Sequence, residues 1–303
     1  MDGIVLSKEY VMRHFPERPR SAHKGNFGRV LLLCGSKGYT GAAYLAAMGA
    51  LRSGAGLVYL GVPESIYQIE AVKLNEAIVF SLPDCGGKFG KDAWVALESV
   101  LENKDAVLFG CGVGQSAETM VLCEHLIKNY PGILILDADG INLASKHKDL
   151  LRDRTAPTIL TPHEGEYLRL TGRKPADRVS DAAQTAKDLG SIIVLKGRHS
   201  VITDGETSYI NPMGNPGMAV GGSGDLLSGI ILSLAGQGIP PLQAAACGAW
   251  LHGAAGDVCA GELGEYGMLP TDMLQVLPRL IGKAGCYEKN NCLYHGHDTP
   301  YGL

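Results

Sequence analysis

No two of the eight cysteines are spaced as C-x-x-C, and most sit in apolar or Gly-rich runs. That excludes a compact zinc motif and a disulfide framework, and leaves buried, reduced thiols. No apolar run approaches the length of a membrane span; the longest, around Ile230 to Ala235, is broken by Ser and Gly. Residues Met1 to Arg20 lack the apolar core of a secretory signal. Neither sign of charge is in excess. The formal net charge of −4 comes from intermixed acids and bases, so neither nucleic acid nor an anionic membrane is an expected partner. A cytoplasmic protein is the expectation. Also missing are a Walker A loop, a G-x-S-x-G elbow, H-E-x-x-H, and a G-x-G-x-x-G in a dinucleotide-fold setting.

Glycine is what the chain has in plenty: 41 of 303 residues, nearly twice the usual share of about 7%. It clusters in short loops, which suits tight strand-to-helix turns and close backbone approach to a ligand. Arg29 to Cys34 is a continuous apolar run, suited to a strand buried on both faces. The loop Gly35 to Gly41, an Ala-rich helix over 42–53 and a strand over 56–61 complete a βαβ unit, hence a parallel sheet. Further strands are predicted over 105–109, 132–136, 158–160 and 191–195, with a helix over 117–129 and a hairpin turning at Asp204-Gly205. Helices dominate from Leu226 to about Ile281. Residues 1–29 read as a lead-in and 1–281 as one α/β domain. The aperiodic 282–303 reads as a loosely ordered tail.

Five of the strands run at their carboxyl ends into polar or Gly-rich clusters: 35–41, 110–114, 137–139, 161–166 and 196–200. In open parallel sheets ligands bind outside that edge, so these clusters define a single long cleft. The strongest feature is Asn215-Pro-Gly-Met-Ala-Val-Gly-Gly-Ser-Gly-Asp225, followed by an apolar helical segment. Its glycines can turn successive backbone N–H groups into one concavity at a helix's positive end, which makes an anion site. Asp225 is then either the helix N-cap or a general base beside a bound phosphate. His163 and Glu166 either start a helix, with Glu166 supporting its first turn, or face substrate and a metal-bound water. Lys196-Gly197 can offer a cation and an amide to phosphate oxygens. Asp137 and Asp139 could help hold Mg²⁺, with capping of the next turn the favoured reading. His295 and His297 read as solvated.

Taken together, the Gly-Gly-Ser-Gly-Asp segment, Thr161-Pro-His-Glu-Gly-Glu166, Gly41-Ala-Ala-Tyr-Leu-Ala46, Leu51-Arg-Ser-Gly-Ala-Gly-Leu-Val58 and Asp137-Ala-Asp139 resemble the ADP/ATP-dependent NAD(P)H-hydrate dehydratases. The resemblance covers about residues 20–281. It implies a ribokinase-like three-layer α/β/α sandwich with a mostly parallel central sheet, here as a stand-alone dehydratase domain without the epimerase domain of many bacterial relatives. It also implies dehydration of (S)-hydrated NADH or NADPH driven by ADP or ATP with Mg²⁺. The ring hydroxyl is phosphorylated and phosphate is then eliminated. By the same resemblance Asp225 is the base, and Ala42, Gly114, His163 and Asp225 meet the hydrated cofactor. Lys196, Gly197, Arg198, His199, Ser200 and Gly224 meet the nucleotide, and Glu166 stands at a metal position. A carboxylate at a helix start is expected to have a lowered pKa, offset by a neighbouring phosphoryl group. Cys111, where relatives usually have proline, predicts a floppier loop. ADP is the favoured donor and a homotetramer the expected assembly, through strand edges near the hairpin. The rival readings are a ribokinase-like vitamin-precursor kinase and a non-catalytic nucleotide-binding module.

Overall fold

The computed structural model describes residues 3–282. The lead-in supplies β1 (Ile4–Val5) and α1 (Lys8–Met12). Next come β2 (Arg29–Leu33), α2 (Thr40–Arg52), β3 (Leu57–Pro63), α3 (Glu64–Lys73) and β4 (Ile78–Leu82). A ribbon of β5 (Asp84–Cys85) and β6 (Lys88–Phe89) leads to α4 (Ala93–Leu101), β7 (Ala106–Phe109), α5 (Ala117–Asn129) and β8 (Ile133–Leu136). Then follow α6 (Asp139–Ala144), α7 (Lys148–Asp153), β9 (Thr158–Leu160), α8 (Glu164–Thr171), α9 (Arg178–Leu189) and β10 (Ile192–Leu195). The hairpin β11 (Val201–Thr203) and β12 (Ser208–Ile210) precedes α10 (Ser223–Gly236), α11 (Pro241–Leu263) and α12 (Pro270–Gly282).

Ten strands form one sheet in the order β1-β12-β11-β10-β9-β8-β7-β2-β3-β4. From β4 across to β10 every pairing is parallel. The strand periodicity of two sorts side chains to opposite faces. Val30, Leu32, Ala106, Leu108 and Ile135 pack with α2, α10, α11 and α12, while Leu31, Leu33, Val107, Phe109 and Leu136 pack with α4 to α9. The result is the expected three-layer α/β/α sandwich. From β2 the chain moves outward to β4, then returns to β7 and runs the other way. Connections therefore diverge between β2 and β7, and a crevice opens at the carboxyl ends of that pair.

On that side α10 lies against α2 with backbone close to backbone. A Cβ at Gly229 would stand 2.0 Å from Ala46 O, and one at Gly49 would stand 2.7 Å from Leu226 O. Glycine at these two contacts seats α10, and with it Asp225, over the crevice.

Two expectations change. The lead-in is built into the sheet: β1 pairs parallel with β12 and becomes the edge, with Ile4 and Val5 exposed, so the hairpin edge expected to be open is covered. Residues 64–101 hold α3, β4, the ribbon and α4, none of which apolar periodicity marked; α3 and β4 bury few side chains and their pattern is correspondingly mixed. Cys34, Cys111, Cys123, Cys247 and Cys259 are buried free thiols as expected, while Cys85 is exposed. No helix among the described residues is long and apolar enough to cross a membrane. The expectations for the tail, with Cys286, Cys292, His295 and His297, fall beyond the described residues.

Candidate active site

Gly222, in a left-handed conformation with φ +94°, is the N-cap of α10, and Asp225 is the third residue of the helix with no side-chain cap bond. The capping alternative for Asp225 therefore fails. Among the described residues, the amides of Gly222, Gly224 and Asp225 have no protein acceptor. Orphan N–H groups at a helix's positive end can cradle an anion, as the glycines implied.

Beneath the cradle the strand ends bring four groups together. Asp137, at the end of β8 and 1% exposed, accepts Lys196 Nζ at 2.7 Å, Ser228 Oγ at 2.8 Å and the Cys111 thiol at 3.7 Å. Lys196 Nζ also lies 3.7 Å from Glu166. A Cβ on Gly224 would come within 3.3 Å of that ammonium, so glycine lets the helix start approach the cation. Ligand atoms of Cys111, Asp137 and Asp225 all lie within 4.8 Å of one another.

The electrostatics follow from this crowding. Burial, then the charge of Asp137, pushes Asp225 from 3.8 up to about 6. That reverses the expected lowering at a helix start, because desolvation beside a like charge outweighs the helix dipole. For Asp137 burial also acts upward, but the Lys196 charge and hydrogen bonds from Lys196, Ser228 and Thr161 hold it below its ordinary value. Lys196 is correspondingly raised: burial opposes its charge, and Asp137 and Glu166 restore it. Cys111 is pushed well up by its hydrogen bond with Cys34, by burial and by the nearby carboxylates, so it remains a thiol.

Asp137 is not a cap. Ala138 holds the N-cap position of α6 with no side-chain cap bond, at φ +49° and ψ −116°. A non-glycine residue there stores of order 1–3 kcal/mol of strain, which the surrounding structure must over-determine. The kink aims Asp137 inward while Asp139 turns outward and accepts the Gly114 amide at 2.9 Å and Gln115 at 3.1 Å. The two aspartates thus join the Lys196 side of the cleft to the Gly114 side. Ala42 closes that side, with its methyl against Gly112. The loop carrying Cys111 is tied down rather than loose: Gly35 N–H donates to Cys111 O at 2.8 Å and Ser36 to Gly112 O at 2.7 Å.

His163 and Glu166 complete a capping box, with His163 Nδ1 accepting from Gly165 N at 2.9 Å and His163 N–H donating to Glu166 at 2.8 Å. The helix-start reading is therefore correct, and the box also fixes Glu166, 5% exposed, beside Lys196. Gly197, Arg198 and His199 sit on an exposed turn closed by Ser200 Oγ donating to Gly197 O at 3.0 Å, outside the carboxylate cluster.

Sequence reasoning missed Ser228, His252 and Asp257. Ser228 lies three residues beyond Asp225, on the same helix face. His252 Nε2 is 3.2 Å from Ser223 Oγ, and Asp257 accepts Gly214 N–H and Asn215 Nδ2, each at 2.9 Å. The available signal was a histidine and an aspartate within the Ala/Gly-rich α11. A cavity of about 1010 Å³ lies elsewhere, at the far ends of α2 and α10, lined by Arg13, Arg18, Arg20, Arg52 and Gln237. It shares no residue with the cleft, so cavity size does not locate the chemistry.

A mostly parallel sheet sandwiched by helices, with a Gly-rich helix start carrying a carboxylate over the strand ends, defines a ribokinase-like protein. The NAD(P)H-hydrate dehydratase profile matches residues 30–279. The chain is 42% identical to the bifunctional NAD(P)H-hydrate repair enzyme Nnr of Moorella thermoacetica over 91% of its own length, but spans 53% of that protein. It is 33% identical to the ADP-dependent (S)-NAD(P)H-hydrate dehydratase of Bacillus subtilis, covering 92% of this chain and 98% of that one. The crystal structure of the ADP/ATP-dependent NAD(P)H-hydrate dehydratase from Bacillus subtilis, co-crystallised with ATP/Mg²⁺, superimposes with a TM-score of 0.80 at 30% identity, covering 94% and 99% of the two chains. This chain belongs to the NAD(P)H-hydrate dehydratase family.

Proposed function

We propose that the chain dehydrates (S)-hydrated NADH or NADPH at the expense of an adenine nucleotide, with ADP the favoured donor. The observation that carries this reading is Asp225, a carboxylate poised at about 6, beside open helix amides and the Lys196–Asp137 pair. A base with that pKa is ionised at neutral pH yet basic enough to share a hydroxyl proton. The ring hydroxyl gives its proton to Asp225 as its oxygen attacks the terminal phosphorus, and the bond to the leaving nucleotide breaks. Phosphate, unlike hydroxide, then departs readily with the C–O electron pair, and loss of a proton from the neighbouring ring carbon restores the dihydronicotinamide. The orphan amides bind the transferring charge, and Lys196 adds a cation held at fixed height.

Ala42, Gly114 and His163 are assigned to the damaged nicotinamide by the family resemblance. Gly224, Lys196 and the turn Gly197-Arg198-His199-Ser200 are assigned to the nucleotide in the same way, and Gly224 and Lys196 lie close together. The donor set fits Mg²⁺ as an ion arriving with phosphate. Glu166 offers the hard oxygens it requires, whereas Asp225 is the base, Asp137 is committed to Lys196 and Ser228, and Cys111 is a poor ligand for it. When bound, it would supply positive charge that neutralises the phosphoryl group. Glu166, already accepting from His163 N–H, would reach it through water.

The test is to incubate the protein with S-hydrated NADPH and Mg²⁺, with ADP and ATP in parallel. Recovery of near-UV nicotinamide absorbance, faster with ADP, is the expected result. A stable phosphorylated product would instead identify a small-molecule kinase, and nucleotide binding without turnover would identify a binding module.

A further inference from the structure

His252 comes from the middle of α11, yet its ring ends at the first turn of α10. It is 8% exposed, as is Ser223, whose hydroxyl it meets at 3.2 Å. Burial pushes this histidine down to about 4, against the hydrogen bond of the Ser223 backbone and with the Lys196 charge acting the same way as burial. The ring is therefore neutral in the working range and carries one N–H.

Which nitrogen bears that proton decides what Ser223 can offer the cleft. Among the described residues Nε2 is the ring nitrogen with a hydrogen-bond partner in the protein, the Ser223 hydroxyl. With the proton on Nε2, the ring donates to Ser223 Oγ. A hydroxyl that accepts one hydrogen bond keeps its own hydrogen to give away. Ser223 is the residue between Gly222 and Gly224, so that hydrogen is free to join the same anion cradle as their amides. The opposite tautomer would draw the hydroxyl hydrogen toward α11 and turn oxygen lone pairs on a phosphoryl group.

We propose that His252 is a positioning residue for phosphoryl transfer: its Nε2–H holds the Ser223 hydroxyl so that Ser223 donates to a phosphoryl oxygen at the start of α10. The proposal deepens the dehydratase reading and rests on it for its kinetic test. Neutral donors that strengthen toward developing charge act on kcat more than on KM.

The test is a double-mutant cycle on the full chain with Ser223→Ala, His252→Phe and their combination, plus His252→Gln, whose side-chain amide can present N–H near the Nε2 position. Expected are losses of about tenfold in kcat for each single variant, KM for the hydrated cofactor within about threefold, and no further loss in the combination. His252→Gln should recover most of the kcat. Additive losses, an unchanged kcat in His252→Phe, or a His252→Gln variant as slow as His252→Phe would each overturn the proposal. If the wild-type protein restores no nicotinamide absorbance, the dehydratase reading fails. The same cycle read by calorimetric ADP affinity then decides the His252 assignment: non-additive weakening with Gln rescue supports it, and additive or absent effects reject it.

Discussion

Replacing Asp225 with asparagine should make the protein more stable and nearly inactive, and the two effects should have different pH dependences. In the folded chain the Asp225 carboxyl is raised from 3.8 to about 6 by burial and by Asp137. At about 1.4 kcal/mol per pH unit, that shift corresponds to about 3 kcal/mol. The sign follows from proton binding. Between pH 4 and 6 the folded protein holds this proton more tightly than the unfolded chain does. The group's contribution to stability is therefore full below 3.8 and is lost as pH rises through about 6. Asparagine never ionises, so Asp225→Asn avoids that loss. Its stability relative to wild type should be near zero at pH 4 and grow to about 3 kcal/mol by pH 8. The change is readable as an upward shift of several degrees in a thermal scan, at roughly 2–4 °C per kcal/mol for domains somewhat smaller than this one. Turnover should fall by about 10²–10⁴-fold, the usual contribution of a general base. Wild-type kcat/KM should in turn decline below pH 6, to about a tenth at pH 5, as the free enzyme's base is protonated. Denaturation curves for both proteins from pH 4 to 8 decide the matter. A stability gap that does not change with pH, or an asparagine variant less stable at pH 8, would refute the desolvation account of Asp225.

Lys196→Met should cost about 3–5 kcal/mol in urea unfolding, because it strands the buried Asp137 carboxylate. Adding Asp137→Asn to that variant should recover much of the loss, and a cost below about 1 kcal/mol would mean the pair is not the electrostatic centre of the cleft. Gly229→Ala places a methyl 2.0 Å from Ala46 O, so α10 must back away from α2. A destabilisation of about 1–3 kcal/mol is expected, with a loss of turnover larger than stability alone explains, since Asp225 lies one turn away. Unchanged kinetics in a folded Gly229→Ala protein would show that this close packing does not set the position of the base.

Much of the architecture was legible because buried parallel strands leave a plain mark. The runs at Arg29, Ala106, Ile133 and Ile192 are continuous apolar stretches ending in glycine or charge, and each is a strand of the parallel region. The half-exposed α3 and β4 left no such mark. The lead-in hid a two-residue strand whose existence depends on its partner β12. At the site, the Gly-rich turn and Asp225 stood out because their spacing is local. Asp137 was misjudged as a cap because a carboxylate before a helix usually is one. Its true role depends on Lys196, 59 residues away in sequence.

The sequence by itself determined the parallel sheet, its ligand-binding edge and the polar groups predicted along it, since these follow from short-range patterning and chain direction in a parallel sheet. Tertiary structure decided which of those groups work together and in what protonation state. Burial and the company of charges exist only once β2, β7, β8, β10 and α10 are assembled. That assembly pairs Lys196 with Asp137, makes Asp225 a weaker acid, and brings His252 to Ser223.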